Sequence, residues 1–375
     1  MIKIPFNKPS IIGNELAYIE QAVASGKISG NGGFTKKCQA YFEQTLGSQK
    51  CLLTTSCTDA IEMSAILSEI GPGDEVILPS FTFVSTANPF LLRGATIKLA
   101  DSYGTQPNID PASIISRITD RTKVIVVVHY AGVACDMDKI MAIAKEKNIL
   151  VIEDAAQAID AYYKGVPLGS IGDLGTFSFH ETKNIIAGEG GLLSINNPKF
   201  NARSEIIWEK GTNRSAFFRG EIDKYTWVDI GSSFLPSELI AAFLYAQIEK
   251  LSTIQDRRKA IWERYFKELN NLAEKGYITL PHLPDYATNN GHLFYFLCSS
   301  LEERTKLLKY LKSNGILAVF HYVPLHSTDF YKNHEDISLP NADKFGNCLV
   351  RLPLFYELSE TDQSFILEKI INFYQ

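Results

Sequence analysis

The sequence predicts an α/β domain with a mostly parallel sheet, followed by a smaller α+β domain. Short apolar runs alternate with amphipathic helical patterns over the first two thirds of the chain. Most of the runs are continuously apolar, which is typical of a sheet covered by helices on both faces. The pattern changes near residue 240, and the 375 residues match about two average domains. We therefore place a large domain at residues 1–245 and a small domain at 246–375.

Seven runs in the predicted large domain have the composition of buried strands. They are CLLTTS (51–56), EVILPS (75–80), TIKLAD (96–101), VIVVVHY (124–130), LVIEDA (150–155), GTFSF (175–179) and GLLSI (191–195). The helices between them are equally clear in the sequence. After VIVVVHY, Asp136 is positioned to cap a helix whose apolar residues recur at helical spacing from Met137 to Ala144.

One long helical pattern, from about residue 237 to residue 273, joins the predicted large domain to the predicted small domain. The segments FYFLCSS, ERTKLLKYLKSNG and AVFHYVPLH follow it, and the second of these has the pattern of a helix. No flexible linker or internal repeat separates the two parts, so we expect them to pack closely.

The composition excludes several classes of protein. The 37 basic and 42 acidic residues give a formal charge of −5 without any block of like charge, so neither nucleic acid nor a membrane is an expected partner. The first residues lack the apolar core of a secretory signal, and no apolar run is long enough to span a bilayer. Six scattered cysteines without a C-x-x-C pair favour reduced thiols in a cytoplasmic protein, and we expect no bound metal.

Polar residues at the predicted carboxyl ends of strands are the candidates for function, because parallel sheets bind ligands there. After the first strand, TSCTDAIEMSAIL leads into a helix whose free N–H groups would suit a phosphate, with Ser56 and Thr58 as further donors. An ordinary capped helix is the alternative. Asp154 ends another apolar strand, where it would pair with a protonated ring nitrogen or serve as a structural carboxylate.

Lys183 follows the strand GTFSF and precedes a cluster of glycines. Partial burial there would lower the pKa of its amine and make it suitable for Schiff-base formation and proton transfer. Taken alone, it could equally be a surface lysine beside a turn. A phosphate site, a partner for a ring nitrogen and an imine-forming lysine together match one cofactor, pyridoxal 5′-phosphate (PLP).

These motifs resemble those of the DegT/DnrJ/EryC1/StrS family of sugar aminotransferases, which are fold-type I PLP-dependent transferases. The resemblance extends over nearly the whole chain and includes VVHYAGVACDMDKI, VIEDAAQA, GTFSFHETKN and FHYVPLH. It implies that Lys183 binds PLP covalently, that Asp154 pairs with the pyridine nitrogen and that Gln157 lies near the ring hydroxyl. Phe83 would stack on the ring, and three residues would bind the phosphate: Cys57, Thr58 and Ser178.

The resemblance also implies a homodimer whose active sites are shared between subunits. Many relatives have GYNYRMS where this chain has GSSFLPS (231–237), so Ser233 replaces an asparagine that reaches the phosphate in the neighbouring subunit. The segment 210–227 is either a solvated loop or a part of the partner's site. The residues expected at the sugar-nucleotide site are Tyr130, His180, Lys210, Arg214, Arg219, His321 and His326, with a structural role as the alternative for the last two.

The segments SFHETKN and 210–234 most resemble one subgroup of the family. That subgroup converts dTDP-4-keto-6-deoxy-D-glucose and L-glutamate to dTDP-4-amino-4,6-dideoxy-D-galactose and 2-oxoglutarate for surface polysaccharides. Amination of a 3-keto sugar, or a product with the gluco configuration at C4, is the alternative within the family. Sugar 3-dehydratases of the same fold carry histidine at the position of Lys183, which argues against that reaction.

Other classes of function have weaker support in the sequence. A metal-dependent glycosyltransferase would use Asp136 and Asp138 as a D-x-D site, but a capping role for Asp136 and a first-turn position for Asp138 explain both residues. No G-x-G-x-x-G lies between a strand and a helix, which disfavours a dinucleotide dehydrogenase. A regulator that binds PLP without turnover would retain Lys183 and is distinguished only by assay.

Overall fold

A seven-stranded sheet forms the centre of the part of the chain that the computed structural model describes, which is residues 2–331, 335 and 337–375. The strand order is β1-β9-β8-β5-β4-β2-β3, and β9 runs in the opposite direction to the other six strands. The strands of this sheet are β1 (Lys50–Thr54), β2 (Glu75–Pro79), β3 (Thr96–Ala100), β4 (Thr122–Val128), β5 (Leu150–Asp154), β8 (Leu174–Ser178) and β9 (Gly191–Ile195). Each lies where an apolar run predicted a strand.

Helices cover both faces of this sheet. Their bounds are α1 (Glu15–Ala24), α2 (Gly33–Leu46), α3 (Cys57–Leu67), α4 (Asn88–Leu92), α5 (Pro111–Arg117), α6 (Met137–Lys147), α7 (Asn201–Trp208), α8 (Arg214–Phe218) and α9 (Glu238–Glu249). A short hairpin of β6 (Tyr162–Tyr163) and β7 (Val166–Pro167) lies outside the sheet. Asp136 caps α6 as predicted, accepting from the Lys139 N–H, while Asp138 lies in the first turn and pairs with Lys164.

The continuous apolar runs follow from the two-sided burial of the sheet. Val124 and Val126 pack into one buried cluster, whereas Ile125 and Val127 between them pack into another cluster on the opposite face. Because both faces are covered, the residues of β4 from Val124 to Val128 are all apolar and all buried. The sheet is therefore accessible to ligands at its edges and strand ends rather than across its faces.

The C-terminal part contains α10 (Leu251–Glu274), β10 (Phe294–Leu297), α11 (Leu301–Ser313), α12 (Pro340–Cys348), β11 (Leu349–Leu352) and α13 (Glu360–Tyr374). The predicted long helix is in fact two helices, α9 and α10, because the backbone of Lys250 leaves the helical conformation between them. The C-terminal elements form a third buried cluster, which also includes Ile4 from the start of the chain. The predicted domain boundary at residues 245–246 falls inside α9 and stays a prediction.

Close packing of the two parts is confirmed by residues of β10, α12 and β11 that join the same buried cluster as β2 and β4. In the described residues, no helix combines the length and the apolar character needed to cross a bilayer. The strands β1, β8, β5, β4 and β2 all end at one edge of the sheet, and the C-terminal part lies over that edge.

Candidate active site

A cavity of about 850 Å³ lies at the carboxyl edge of the sheet, between it and the C-terminal part. Residues from both parts line it, which explains why distant segments of the sequence contribute to one site. It brings together ten of the residues predicted from the sequence: Ser56, Cys57, Thr58, Phe83, Asp154, Gln157, Ser178, His180, Lys183 and His321.

The N-terminus of α3 forms one end of the cavity. The Ser56 hydroxyl caps this helix by accepting from the Asp59 N–H, at 3.1 Å, and the Thr58 hydroxyl donates to Ser85 at 3.0 Å. Gly191 begins β9 directly against this turn, and a Cβ at that position would overlap the Ser56 carbonyl. The helix start therefore presents N–H groups and hydroxyls to the cavity, with the Ser178 hydroxyl beside them.

Asp154 is buried at the end of β5, and its carboxylate is held in a fixed orientation. Its Oδ2 accepts from the Thr86 hydroxyl at 2.8 Å, and its Oδ1 accepts from the Ala156 N–H at 3.2 Å. Thr82 in turn lies 2.8 Å from the Thr86 hydroxyl. Burial raises the pKa of Asp154, although these hydrogen bonds and the positive charge of Lys183 oppose the shift. No basic side chain of the described residues forms an ion pair with it, so its charge is available to a ligand.

Lys183 is half-buried in the same cavity. It lies in a loop that is held by backbone hydrogen bonds within it and between its two ends. The Lys183 N–H donates to the His180 carbonyl, and Phe179 and Gly190 at the loop ends are joined by a 2.8 Å hydrogen bond. Burial lowers the pKa of Lys183, while Cys57 and Asp154 oppose the shift and Arg351 adds to it. The amine is therefore easier to deprotonate than that of a surface lysine, as its position in the sequence predicts.

Gln157 and Tyr322 form the wall beside Asp154. The Gln157 amide donates to the Tyr322 hydroxyl at 3.2 Å and accepts from the Ala131 N–H at 2.7 Å. Tyr322 has a positive φ of 43°, which is strained for a bulky residue and is characteristic of functional sites. Phe83 lies 6.2 Å from the Tyr322 ring and is exposed to the cavity. Tyr322 was not singled out in the sequence, although it lies within the motif FHYVPLH.

His321 lines the cavity, but Tyr130 lies behind it. The Tyr130 hydroxyl is 2.7 Å from His321 Nδ1, and its ring is buried among aromatic side chains. Burial lowers the pKa of His321 well below its usual value, with the charges of Arg351 and Lys183 adding to the effect. His321 is therefore neutral, and Tyr130 fixes the orientation of its ring.

His292 also lines the cavity, although no strand-end motif of the sequence points to it. Its Nδ1 lies 2.7 Å from the side-chain oxygen of Asn184, the residue directly after Lys183. The Asn184 amide also donates to Gln255 at 2.7 Å and to the Asn290 carbonyl at 2.9 Å. Burial lowers the pKa of His292 well below its usual value. The lysine loop is thus anchored through a neutral histidine of the C-terminal part, a contact that no local sequence pattern signals.

A second cavity of about 410 Å³ contains three of the other predicted residues, Lys210, Arg214 and Ser233, together with Lys27 and Lys36. Four cationic side chains and the single acid Glu209 line it. Within one subunit these residues do not line the cavity of Lys183. Arg219 lies at the end of α8, where it pairs with Glu205 and Glu221.

His326 is also separate from the main cavity. Its Nδ1 lies 2.7 Å from the Ser80 hydroxyl, and its Nε2 lies 3.2 Å from Asp343. The Leu325 N–H donates to the Ser80 carbonyl at 2.8 Å. The geometry of His326 is thus that of a residue that fastens the C-terminal part to the end of β2, the structural alternative raised from the sequence.

The donors and acceptors of the main cavity fit a ligand with three particular groups. A phosphate fits the N–H groups and hydroxyls at the start of α3, and a protonated ring nitrogen fits the oriented carboxylate of Asp154. A carbonyl carbon fits the amine of Lys183, whose pKa is lowered. PLP carries all three of these groups.

Known proteins with related sequences and structures include sugar aminotransferases. The chain is 30% identical over 377 aligned positions to the spore coat polysaccharide biosynthesis protein SpsC of Bacillus subtilis, covering 98% of this chain and 96% of SpsC. A Streptococcus pneumoniae protein assigned as a sugar aminotransferase, solved in a PMP form, has a TM-score of 0.92 at 28% identity over 99% of both chains. The PLP form of the same protein has a TM-score of 0.91 at 28% identity, over 99% of this chain and 98% of that chain.

These likenesses confirm the predicted fold class, a fold-type I PLP-dependent transferase with a mostly parallel central sheet. The match to a family model is equally extensive, since it spans residues 9–371 and so includes every site residue that was predicted from the sequence. The chain belongs to the DegT/DnrJ/EryC1/StrS aminotransferase family.

Proposed function

We propose that this protein is a PLP-dependent aminotransferase that moves the amino group of L-glutamate to the keto carbon of a nucleotide-linked sugar. The observation that carries the proposal is the single cavity in which the start of α3, the Asp154 carboxylate and the Lys183 amine come together. Membership of an aminotransferase family supports the reaction type. Lys183, Asp154 and the phosphate-binding residues Cys57, Thr58 and Ser178 are the groups that would hold the cofactor.

When bound, PLP supplies an electron sink and a carbonyl carbon that can accept an amino group from one substrate and release it to another. The protein's own contribution is electrostatic and geometric. The carboxylate of Asp154, oriented by Thr86 and Ala156, stabilises positive charge on the ring nitrogen. The Lys183 amine, whose pKa burial lowers, would move a proton between the substrate carbon and the cofactor carbon.

For the substrate we propose dTDP-4-keto-6-deoxy-D-glucose, with dTDP-4-amino-4,6-dideoxy-D-galactose as the product. The support is the resemblance of SFHETKN and of residues 210–234 to the subgroup with this activity. SpsC is named for polysaccharide biosynthesis, which agrees with a role in making a surface sugar. The product's C4 configuration depends on the face from which Lys183 delivers its proton.

We further propose that two subunits share their active sites. Lys210, Arg214 and Ser233 line a cationic cavity that is suited to phosphate groups but separate from Lys183 of the same chain. The segment that follows exposes large apolar side chains, with Phe218 at 68% and Trp227 at 80% of their surface. We propose that these side chains are buried against a second copy and that the cationic residues then reach the partner's main cavity.

The reaction is tested by incubating the purified protein with PLP, L-glutamate and either the 4-keto or the 3-keto dTDP-sugar. We expect the 4-keto sugar to be converted, and NMR coupling constants of the product to show an axial amine at C4, the galacto configuration. Conversion of the 3-keto sugar alone would contradict the proposed substrate. An equatorial amine at C4 would contradict the proposed product.

A PLP-binding regulator without turnover is distinguished by adding L-glutamate alone. An aminotransferase loses the visible absorbance of bound PLP as the amino group is transferred, and 2-oxoglutarate regenerates that absorbance. A spectrum that is unchanged by glutamate would rule out the proposed reaction while leaving cofactor binding intact.

A further inference from the structure

Asn290 is a fully buried residue of the C-terminal part, and its side chain is bonded to the loop that follows β5. Its side-chain N–H groups donate to the backbone carbonyls of Gln157 and Ile159, each at 2.8 Å. Both of these residues follow Asp154, the last residue of β5. The side-chain oxygen of Asn290 accepts from the His292 N–H at 3.0 Å. The amide therefore fixes the loop of Asp154 to the segment that precedes β10.

The backbone of Asn290 holds a second loop, the one that contains Lys183. The Asn290 carbonyl accepts from the side chain of Asn184 at 2.9 Å, and Asn184 directly follows Lys183 in the chain. The side-chain oxygen of Asn184 lies 2.7 Å from Nδ1 of His292, two residues further along the same segment. One short segment of the C-terminal part is therefore bonded both to the loop of Asp154 and to the loop of Lys183.

Two glycines leave a closely defined space for Asn290. Gly132, in the turn after β4, has a φ of 76°, and a Cβ at its position would lie 2.0 Å from the side-chain oxygen of Asn290. Gly291 has a φ of 61°, and its added Cβ would overlap the backbone of Arg258 and Lys259 in α10. A side chain at either glycine would displace Asn290, so the packing around this amide determines its position relative to the two loops.

We propose that Asn290 is a positioning residue that sets the Lys183 amine relative to the Asp154 carboxylate, an inference that rests on the proposed function. A ligand that bonds to Lys183 and pairs with Asp154 requires a fixed distance between groups on two different loops. In the described part of the chain, these two side chains act on each other through their charges and not through a hydrogen bond. Their separation therefore depends on how the loops are held, and small displacements of a reacting group slow bond formation steeply.

The test compares two ligands of the PLP-free protein. PLP can pair with Asp154 and also bond to Lys183, whereas 4-deoxypyridoxine 5′-phosphate has the same ring nitrogen and phosphate but no aldehyde. Asn290→Asp retains the shape of the side chain and removes its two N–H donors. At saturating PLP, we expect this variant to slow the attachment of PLP to Lys183 by at least about tenfold, measured as the rise in visible absorbance.

The second ligand separates positioning from a general loss of structure. Calorimetric titration of Asn290→Asp with 4-deoxypyridoxine 5′-phosphate should show an affinity within about threefold of the wild type. The reason is that the Thr86 hydroxyl and the Ala156 N–H still orient the Asp154 carboxylate. A variant that merely loosened the fold would weaken the binding of both ligands.

Asn196 provides a matched control at the opposite edge of the sheet. Its side-chain N–H groups also donate to two backbone carbonyls, those of Gly169 and Gly172, at 3.0 and 2.9 Å. It follows Ile195, the last residue of β9, which pairs with the first residue of β8. Asn196→Asp should lower the Tm as Asn290→Asp does, yet it should attach PLP and bind 4-deoxypyridoxine 5′-phosphate as the wild type does.

Three results would overturn the proposal: Asn290→Asp attaches PLP at the wild-type rate, it weakens both ligands equally, or Asn196→Asp slows attachment to the same extent. If Asn290→Asp does not fold, Asn290→Ala takes its place, because it removes the same donors without burying a carboxylate. A wild type that binds PLP without attaching it to Lys183 would refute both this inference and the proposed function. Attachment that depends on Asn290 in a protein that aminates no keto sugar would refute the proposed function alone.

Discussion

Asp154 has a buried carboxylate that the protein orients but does not neutralise with a basic partner. Replacing it by asparagine retains the shape and removes the charge that would face a ring nitrogen. We expect Asp154→Asn to lower kcat/KM by about 100-fold or more, in line with the loss of one buried charge pair. Steady-state assays against the exposed control Asp120→Asn measure this, and near-normal activity in Asp154→Asn would exclude a role for this charge.

Asp154→Asn should also change how the stability of the PLP-free protein depends on pH. Burial raises the pKa of Asp154 above its usual 3.8, so the folded state binds this proton more tightly than the unfolded chain does. Its stabilising contribution is present at low pH and is lost as the pH rises through the folded-state pKa. Asp154→Asn cannot lose a proton, so its Tm relative to wild type should be higher near pH 7 than near pH 4. The opposite trend in thermal unfolding would contradict this account.

Individual site residues differ in how far the sequence could predict them. Asp154 and Lys183 follow apolar strands directly, and their strand-end positions could be inferred because parallel strands share an edge. His292, Tyr322 and Arg351 come from the C-terminal part and reach the cavity only through packing between distant segments. No helical or strand period encodes such contacts, so three-dimensional structure was needed to find them.

At the scale of elements, the position of β9 against α3 determines the shape of the proposed phosphate site. A Cβ at Gly191 would overlap the Ser56 carbonyl and crowd the Cys57 N–H, so Gly191→Ala must displace the start of α3. We expect a loss of about 1–3 kcal/mol in the free energy of unfolding and weaker PLP binding. Gly71→Ala is the control, since nothing lies within 4 Å of its added Cβ. Wild-type PLP affinity in Gly191→Ala would separate this turn from the cofactor site.

The elements themselves were predicted well where burial dictates the sequence. The run 191–195 matches β9 at both ends, because a strand covered on two faces is buried at every position and mostly apolar. The antiparallel direction of β9 could not be predicted, since a continuous apolar run has no direction. The division into α9 and α10 also escaped prediction, because Lys250 interrupts the helix without proline or glycine.

At the scale of the whole molecule, shared active sites predict complementation between inactive subunits. Lys183→Ala removes the amine from one cavity, and the double variant Lys210→Ala with Arg214→Ala alters the cationic residues proposed to reach the partner. If each site contains residues of both chains, random mixing makes about half of the dimers mixed, and each mixed dimer has one intact site of two. Mixing should therefore restore up to about a quarter of the wild-type activity. Mixing after partial denaturation and refolding, followed by assay, measures this. Activity no greater than that of the separate variants would indicate that each chain forms its own site.

The central claim is that Lys183 is the residue that binds the cofactor. Borohydride reduction of the PLP-loaded protein, followed by proteolysis and mass spectrometry, identifies the lysine to which PLP is attached. We predict one modified peptide, containing Lys183, in the wild type and in the exposed control Lys145→Ala, and no modified peptide in Lys183→Ala. Attachment to a different lysine, or modification that persists in Lys183→Ala, would contradict the account.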